Sequence, residues 1–411
     1  MKQTMRSLLK VFCLLLILMS CANTGESPEN TPYEPINFDL KTASVIESSN
    51  NFGFELCKLL LQGVESNENV LISAMSVSQA LCMARNGANG QTKNEITEVL
   101  AFDETLEGDI NISQKKITEA LGRADNQVDI NVANSIWYRN DFSIIPEFIQ
   151  NNVEYYNAEV SALDFSLSEE AKRIINNWVD NKTEGKIQEI VDEVTPDHVM
   201  FLINAIYFYG EWKNRFDKGD TQQLLFNKEN GTDVKCDMMH QTATFSVYQD
   251  ENLQMIELPY GNGHFNMVVL LPAEGNNVEN IISSLDEDLW SEWINKLVSR
   301  EVSLFLPKFK FECEYELKDY LKEMGMPSAF SGAADFSGIT QDASITISKV
   351  KHKTFIEVDE KGTEAAAVTS VEMELTSMPN EYVFNANKPF VFAIFEKDTN
   401  TILFLGKLMN P

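Results

Sequence analysis

The segment that most constrains the fold is residues 360–377, because its side-chain pattern and its composition point to different environments. From Thr363 to Leu375, apolar or hydroxyl side chains alternate with mostly polar ones, and this period of two predicts a β-strand of about 40 Å, about twice the usual length. Yet the segment begins with a run of alanines, which offer little to pack, and leads into Pro379 and Asn380, which indicate a loop. A buried-strand pattern with the composition of an accessible loop indicates two states.

The length and composition are those of a globular protein. The 411 residues, 44% of them hydrophobic, can bury one large core or two smaller ones. The chain carries 62 acidic and 33 basic residues, a formal net charge of −29, and the acidic residues form no long run. This charge argues against nucleic acid, heparin-like polyanions and anionic lipid as partners.

The N-terminus predicts an export signal at residues 1–20. Three basic residues precede an apolar run at residues 11–19, which is too short to span a bilayer permanently. Two processing routes fit. Residues 18–21 resemble a bacterial lipobox, in which Cys21 becomes the lipidated first residue, whereas a conventional peptidase would cut after Ala22. The lipoprotein route is favoured and predicts an exported protein anchored to a bacterial membrane, with a secreted soluble protein as the alternative.

The predicted organisation is a signal peptide, a polar tether at residues 21–44 and one domain at residues 45–411. Four cysteines lie beyond the signal and its cleavage site, and they are Cys57, Cys82, Cys236 and Cys313. They are far apart and lack paired spacing, which argues against zinc and redox motifs. Because Cys57 and Cys82 lie among apolar residues of predicted helices, we expect buried free thiols, with two disulfides as the alternative.

Helical patterns dominate the first half of the chain and strand patterns the second. Residues 52–64 and 168–183 have helical apolar spacing. Residues 199–208 form an almost continuous apolar run, typical of a strand covered on both faces, and residues 345–358 form a long strand pattern leading into 360–377. Without an internal repeat, this order predicts an α+β fold with large mixed or antiparallel sheets.

The sequence offers little support for catalysis. None of its four histidines, which are His198, His240, His264 and His352, has a metal-ligand neighbour at helical or hairpin spacing. A Gly-x-Ser-x-Gly nucleophile motif and a phosphate-binding loop are also missing from the sequence. The chain is therefore predicted to have no metal site, to need no cofactor and not to be an enzyme.

Several motifs in fixed order resemble the serpin family. Residues 360–367, with the sequence EKGTEAAA, resemble the hinge of the serpin reactive-centre loop, and residues 384–390 with 404–407 resemble the C-terminal signature. Three further stretches also resemble serpin sequences, and they are residues 69–102, 157–212 and 306–308. The resemblance covers about residues 45–411.

This resemblance implies three β-sheets, eight or nine helices and an exposed reactive-centre loop. It also implies a monomeric suicide-substrate inhibitor of serine endopeptidases, with cysteine endopeptidases as a further class. A protease that cleaves the loop becomes acylated and is carried across the inhibitor as the loop inserts into the central sheet. The residues are compatible with insertion, because no proline interrupts positions 360–378. The alternative is a non-inhibitory serpin that acts as a binding, carrier or chaperone module.

The resemblance also assigns roles to individual residues. The hinge comprises Glu360, Gly362, Thr363, Glu364, Ala365, Ala366, Ala367 and Val368. The cluster under which the central sheet opens, called here the sheet-opening cluster, comprises Ser73, Ser76, Asn204 and His352. The breach, where insertion begins, comprises Trp212, Lys308 and Glu360, the last two as an ion pair. Ala74 stands where the family usually has proline, which bears on how that helix begins.

A count from Gly362 with a hinge of standard length places the scissile bond between Thr376 and Ser377. Two further bonds remain open, Leu375–Thr376 and Met373–Glu374. Residues 362–387 contain no lysine or arginine, so proteases that require a basic residue before the cut are excluded there. The candidate residues suit elastase-like, subtilisin-like and papain-like enzymes, and the glutamates would also admit a Glu-specific protease.

Overall fold

A computed structural model gives the structure of the protein and describes residues 32–342, 344–363 and 382–411. These residues form nine α-helices and fifteen strands, and the strands make two hydrogen-bonded sheets. The α+β class and the number of helices agree with the sequence prediction. None of the helices described has the length and apolar character needed to cross a bilayer.

The helices are α1 (Leu40–Gly63), α2 (Ala74–Arg85), α3 (Gly90–Val99), α4 (Ile110–Ala124), α5 (Pro146–Tyr156), α6 (Ser168–Lys182), α7 (Val278–Ser284), α8 (Glu287–Asn295) and α9 (Lys318–Met324). The strands are β1 (Val70–Ile72), β2 (Val128–Arg139), β3 (Glu159–Leu163), β4 (Met200–Glu211), β5 (Gln222–Asn227), β6 (Asp233–Gln249), β7 (Leu253–Pro259), β8 (Phe265–Pro272), β9 (Val298–Pro307), β10 (Phe309–Glu316), β11 (Lys351–Val358), β12 (Gly362–Thr363), β13 (Tyr382–Asn385), β14 (Phe390–Glu396) and β15 (Thr401–Leu408).

Helix α1 begins earlier than predicted. Its sequence pattern indicates a start near Phe52, but the helix starts at Leu40, inside the predicted tether. Asp39 caps it by accepting a hydrogen bond from the Thr42 amide at 3.0 Å, and Thr42 and Ser48 are among the residues buried in its first turns. Because some of these buried positions carry hydroxyls rather than apolar side chains, the apolar spacing misses them. Residues 40–44 therefore belong to the domain.

Helix α2 begins with alanine where the family usually has proline. The Ser73 hydroxyl caps it by accepting a hydrogen bond from the Ser76 amide at 3.2 Å. A Cβ atom built on Gly53 of α1 would lie 2.3 Å from the Cβ of Ala74, so the two helices cross in close contact. A small residue at each position permits this crossing, and the helix starts where the sequence predicts.

The nine-stranded sheet runs in the order β1-β15-β14-β8-β7-β6-β9-β13, with β5 also paired to β6. Strand β6 has 17 residues and pairs with β5 and β9 and, at its end, with β7. This shared strand joins two parts into one hydrogen-bonded network, which explains why two sheets rather than three separate ones are found in the described residues. Strands β8, β14 and β15 are buried throughout and form the centre of the core.

The six-stranded sheet runs in the order β10-β11-β12-β4-β2-β3. Strand β11 begins at Lys351 and not at Ile345, where the sequence pattern starts. The backbone before it bonds to loops instead of to a strand, since the Ile347 amide donates to the Ala329 carbonyl at 3.0 Å and the Val350 carbonyl accepts from the Leu317 amide at 2.8 Å. Cys57, Cys82, Cys236 and Cys313 are buried and free, as expected.

Candidate functional site

The candidate site lies between β4 and β11, where the hinge enters the six-stranded sheet. Gly362 and Thr363 of β12 pair with Glu211 and Gly210 of β4, and Thr363 also pairs with Val358 of β11. A tight turn leads from β11 into β12. In the described ranges, these two residues make the only link between β4 and β11 in the order of strands.

Gly362 is required by the close approach of the two backbones. A Cβ atom at this position would lie 2.0 Å from the Gly210 carbonyl oxygen and 2.6 Å from the Glu211 Cα. Both neighbours are main-chain atoms that cannot move aside without breaking the strand pairing. Any residue with a Cβ atom at position 362 would therefore push β12 away from β4.

Thr363 points towards the core. Its hydroxyl lies 2.7 Å from the Tyr260 hydroxyl, and Tyr260 stacks on Trp212 with ring centroids 4.4 Å apart. Trp212 holds the turn before the hinge, because its indole nitrogen donates to the Asp359 carbonyl at 2.9 Å. Trp212, which the resemblance assigns to the breach, thus contacts the turn that leads into β12. Tyr260 was missed from sequence, where it is only an aromatic residue at the end of a strand pattern.

The ion pair of the breach is formed. The Lys308 ammonium lies 3.0 Å from Glu360 Oε2, and the Thr221 hydroxyl donates to the Glu360 carboxylate at 2.9 Å. Burial opposes the charged form, but hydrogen bonds from its own amide, Lys308 and Thr221 outweigh this effect and hold the pKa of Glu360 below its ordinary value. Because the glutamate side chain is buried, this is not a freely exposed surface pair.

The sheet-opening cluster forms a hydrogen-bonded chain across α2, β4 and β11. The Ser73 amide donates to His352 Nε2 at 3.0 Å, and the Ser73 hydroxyl accepts from the Ser76 amide. The Ser76 hydroxyl in turn donates to Asn204 Oδ1. All four residues assigned by resemblance are therefore brought together.

The chain of hydrogen bonds continues into β2 through residues that the sequence analysis missed. Asn204 donates to Asn134 Oδ1 at 2.6 Å, and Asn134 donates to the Tyr156 carbonyl at 2.9 Å. Asn134 and Asn204 face each other in the β2–β4 register. The available signal was an asparagine in the middle of each of two strand patterns, since a buried amide needs a partner.

His352 is neutral in this site. Its complete burial lowers the pKa of the imidazole from 6.5 to about 4. Only the neutral ring has a free lone pair on Nε2 to accept from the Ser73 amide. Protonation would therefore remove the link between β11 and α2.

We expect His352 to make the protein sensitive to acid. Between pH 6.5 and pH 4 the unfolded chain takes up a proton at this ring before the folded chain does, so the free energy of unfolding should fall by about 3 kcal/mol on this account. His352→Gln retains an acceptor that cannot be protonated, and its stability should fall less over this window. Urea unfolding at several pH values measures the difference. His240→Gln is the control, and its free energy of unfolding should depend on pH as that of the wild type does. If the pH dependence is also unchanged in His352→Gln, His352 is not the source of the acid sensitivity.

A cavity of about 290 Å³ lies below β12. It is bounded by the start of β4, by α2 and by residues 344–352, and its lining includes Ser76, Asn204 and His352 as well as apolar side chains. The cavity thus borders three members of the sheet-opening cluster, and Asn204 and His352 lie six positions along β4 and β11 from the residues that pair with Thr363. It is large enough to receive several small side chains.

Other predicted positions lie outside the described residues. They are the reactive-bond candidates Met373, Leu375, Thr376 and Ser377, the hinge residues Glu364, Ala365, Ala366, Ala367 and Val368, and the lipidation candidate Cys21. The predictions made for them remain predictions.

Comparison with known proteins gives a consistent result. A family model described as Serpin (serine protease inhibitor) matches residues 47–411. An uncharacterised serpin-like protein of Thermococcus kodakarensis is 34% identical over 99% of each chain, and human Serpin B8 is 37% identical over 89% of this chain and 99% of its own.

Solved structures agree with these relatives. Tengpin, a thermophilic serpin in the native state, is 33% identical with a TM-score of 0.82 over 93% of this chain and 97% of its own. Human thyroxine-binding globulin, complexed with thyroxine, is 29% identical with a TM-score of 0.82 over 90% of this chain and 99% of its own. The family match and the strand arrangement around the hinge lead to one conclusion: the chain belongs to the serpin family.

Proposed function

We propose that this chain is a suicide-substrate inhibitor of serine endopeptidases. Cleavage near Thr376–Ser377 would let the loop insert between β4 and β11 and trap the acylated protease. The observation that carries the proposal is β12, whose Gly362 and Thr363 pair with β4 and whose Thr363 also pairs with β11. The site is thus arranged to receive the remainder of the same strand.

The register of β12 predicts where each inserted residue would lie. Gly362 and Thr363 face Glu211 and Gly210 in antiparallel order. Continued along the chain, this register brings residue 369 opposite Asn204 of β4, and the β11 register brings the same residue opposite His352. The pairing with β4 and the pairing with β11 would thus each bring Thr369 beside a member of the sheet-opening cluster.

The side-chain faces agree with the same register. Thr363 points towards Tyr260 and the core, so every second residue would follow on that face. These residues are Ala365, Ala367, Thr369, Val371, Met373 and Leu375. The glutamates at 364, 372 and 374 would fall on the opposite face. Small, hydroxyl or apolar groups thus enter the core, and Thr369 offers a hydroxyl to the polar cluster.

The proposal predicts the response to a panel of proteases. Elastase-like and subtilisin-like serine enzymes should form a denaturant-resistant complex, with the cut within residues 373–377, and a papain-like enzyme should cut in the same region. A trypsin-like protease is the control, because residues 362–387 contain no basic residue. Denaturing gel electrophoresis detects the complex, and mass spectrometry identifies the cut site. If every enzyme of the panel cleaves the loop and remains active, inhibition is ruled out.

A second candidate is a carrier for a small apolar molecule. The similarity to thyroxine-binding globulin and the cavity below β12 favour it. A carrier would bind its ligand without inserting the loop. The thermal response to loop cleavage, argued in the Discussion, separates the two functions.

A further inference from the structure

Three ligand-type side chains come together where β8 begins and β14 ends. His264 precedes β8, Glu396 ends β14, and Asp398 lies in the turn after it. The His264 Nδ1 atom is 3.4 Å from Glu396 Oε1 and 3.4 Å from Asp398 Oδ2, and one ligand atom from each residue lies within 4.8 Å of the other two. His264 and Glu396 are 1% and 0% exposed. This trio is called here the His264 site.

The distances fit metal ligands better than an ordinary ion pair. A charge-assisted N–H···O bond is usually about 2.7–2.9 Å long, and both contacts of His264 are longer. Two ligand atoms bound at about 2.0–2.2 Å to a tetrahedral metal lie about 3.3–3.5 Å apart. One imidazole nitrogen with two carboxylate oxygens is a ligand set that suits divalent zinc and its neighbours.

The charge of the His264 site is also incompletely balanced. The Glu396 carboxylate is buried, and Asp398 brings a second carboxylate oxygen to the same imidazole nitrogen, 3.4 Å away. Lys397 is turned towards Glu257, which it contacts at 3.0 Å. In the part of the chain that the structure describes, no lysine or arginine pairs with Glu396 or Asp398. A bound cation would offset the repulsion between these carboxylates.

Neighbouring groups hold the ligands in place. Glu396 accepts hydrogen bonds from the Asp398 amide at 3.0 Å and from the amide of Thr399 at 2.9 Å. Asp398 accepts from the Tyr33 hydroxyl at 2.5 Å and from the Ile36 amide at 2.9 Å. These contacts leave a lone pair on each candidate ligand oxygen and orient the carboxylates as neighbours of metal ligands commonly do.

The N-terminal segment covers the site. The Tyr33 ring stacks on the His264 ring with centroids 4.1 Å apart and planes 9° apart. Residues 33–36 are thus attached to the rest of the domain through Asp398, which would also bind the metal. Metal binding and attachment of this segment should therefore be coupled.

We propose that His264, Glu396 and Asp398 bind one divalent transition-metal ion of the zinc class, with water completing the coordination, and that the ion fastens residues 33–36 to the domain. The inference stands on its own geometry and does not depend on protease inhibition.

The test titrates the purified full chain, stripped with a chelator, with Zn²⁺ and separately with Co²⁺. We expect one ion per chain by calorimetry and visible Co²⁺ absorption bands of a protein-ligated ion. His264→Gln and Asp398→Asn should each weaken binding at least tenfold. His240→Gln is the matched control, since it removes another imidazole and should leave binding unchanged.

Two further measurements test the proposal if His264→Gln or Asp398→Asn folds poorly. Tyr33→Phe removes only the hydroxyl bond to Asp398 and should weaken Zn²⁺ binding about tenfold. Hydrogen exchange should show that Zn²⁺ slows exchange in residues 33–40, where the Ile36 amide bonds to Asp398. If the wild-type chain binds no Zn²⁺ at 100 µM of added metal, about the limit of a weak site, or if His264→Gln binds as tightly, the trio is only a hydrogen-bonded cluster and the proposal is wrong.

Discussion

Ala367→Arg is expected to convert the protein from an inhibitor into a substrate, with the yield of trapped protease falling at least tenfold. The register of β12 brings residue 367 opposite Ile206 of β4 and Thr354 of β11, and both of these residues are buried. An arginine inserted there would lose its hydration without gaining a partner, at a cost of several kcal/mol. Insertion would then be too slow to trap the protease before the acyl bond hydrolyses.

Glu364→Arg is the matched control for this variant. It introduces the same side chain into the same loop, but on the opposite face, where the register brings it beside Tyr209 and Glu357. These neighbours are only half-buried, and Glu357 offers an opposite charge. Its complex yield with an elastase-like protease should stay close to wild type on denaturing gels. If Ala367→Arg traps protease as well as Glu364→Arg does, insertion does not follow the register of β12.

The sequence predicted the parts of the site that lie within continuous motifs. Glu360, Gly362 and Thr363 lie beside Trp212, and the four residues of the sheet-opening cluster lie together, whereas the roles given to them rest on the resemblance. The sequence did not indicate that Gly362 and Thr363 of the hinge are already paired in the sheet, because the composition of this segment is that of a loop. Tyr260 and Asn134 were missed because their roles depend on contacts with Thr363 and Asn204, which are distant in the chain and unmarked by periodicity.

The proximity of His264, Glu396 and Asp398 illustrates a different limit of sequence analysis. The absence of a metal site was inferred from local spacing, in which ligands recur within one helix or hairpin. Here the proposed ligands are brought together by strand order, since Phe265 of β8 pairs with Glu396 of β14. His264 and Glu396 are separated by 132 positions, and only the fold shows that they are neighbours.

Cleavage of the loop within residues 373–377 is expected to raise the melting temperature of the protein by at least about 10 °C. The freed strand would pair with both β4 and β11, and each new hydrogen bond contributes about 0.5–1.5 kcal/mol net. Its alternate side chains would also fill the cavity below β12, and burial of apolar surface adds about 25 cal/mol per Å². The sum over about ten residues is on the order of 10 kcal/mol, which a calorimetric scan detects easily.

The same scan separates the inhibitor from the carrier. A carrier that does not insert its loop should melt at the same temperature before and after cleavage, and so should cleaved Ala367→Arg, whose arginine keeps the strand out of the core. Glu364→Arg should show the full rise. If the cleaved wild-type protein melts no higher than the intact one, the gap between β4 and β11 does not accept the loop, and trapping by insertion is excluded whatever the panel of proteases shows. If the melting temperature rises but no complex forms, insertion occurs and is slower than hydrolysis of the acyl bond, so the rate of insertion, and not the capacity of the sheet to accept the loop, would limit inhibition.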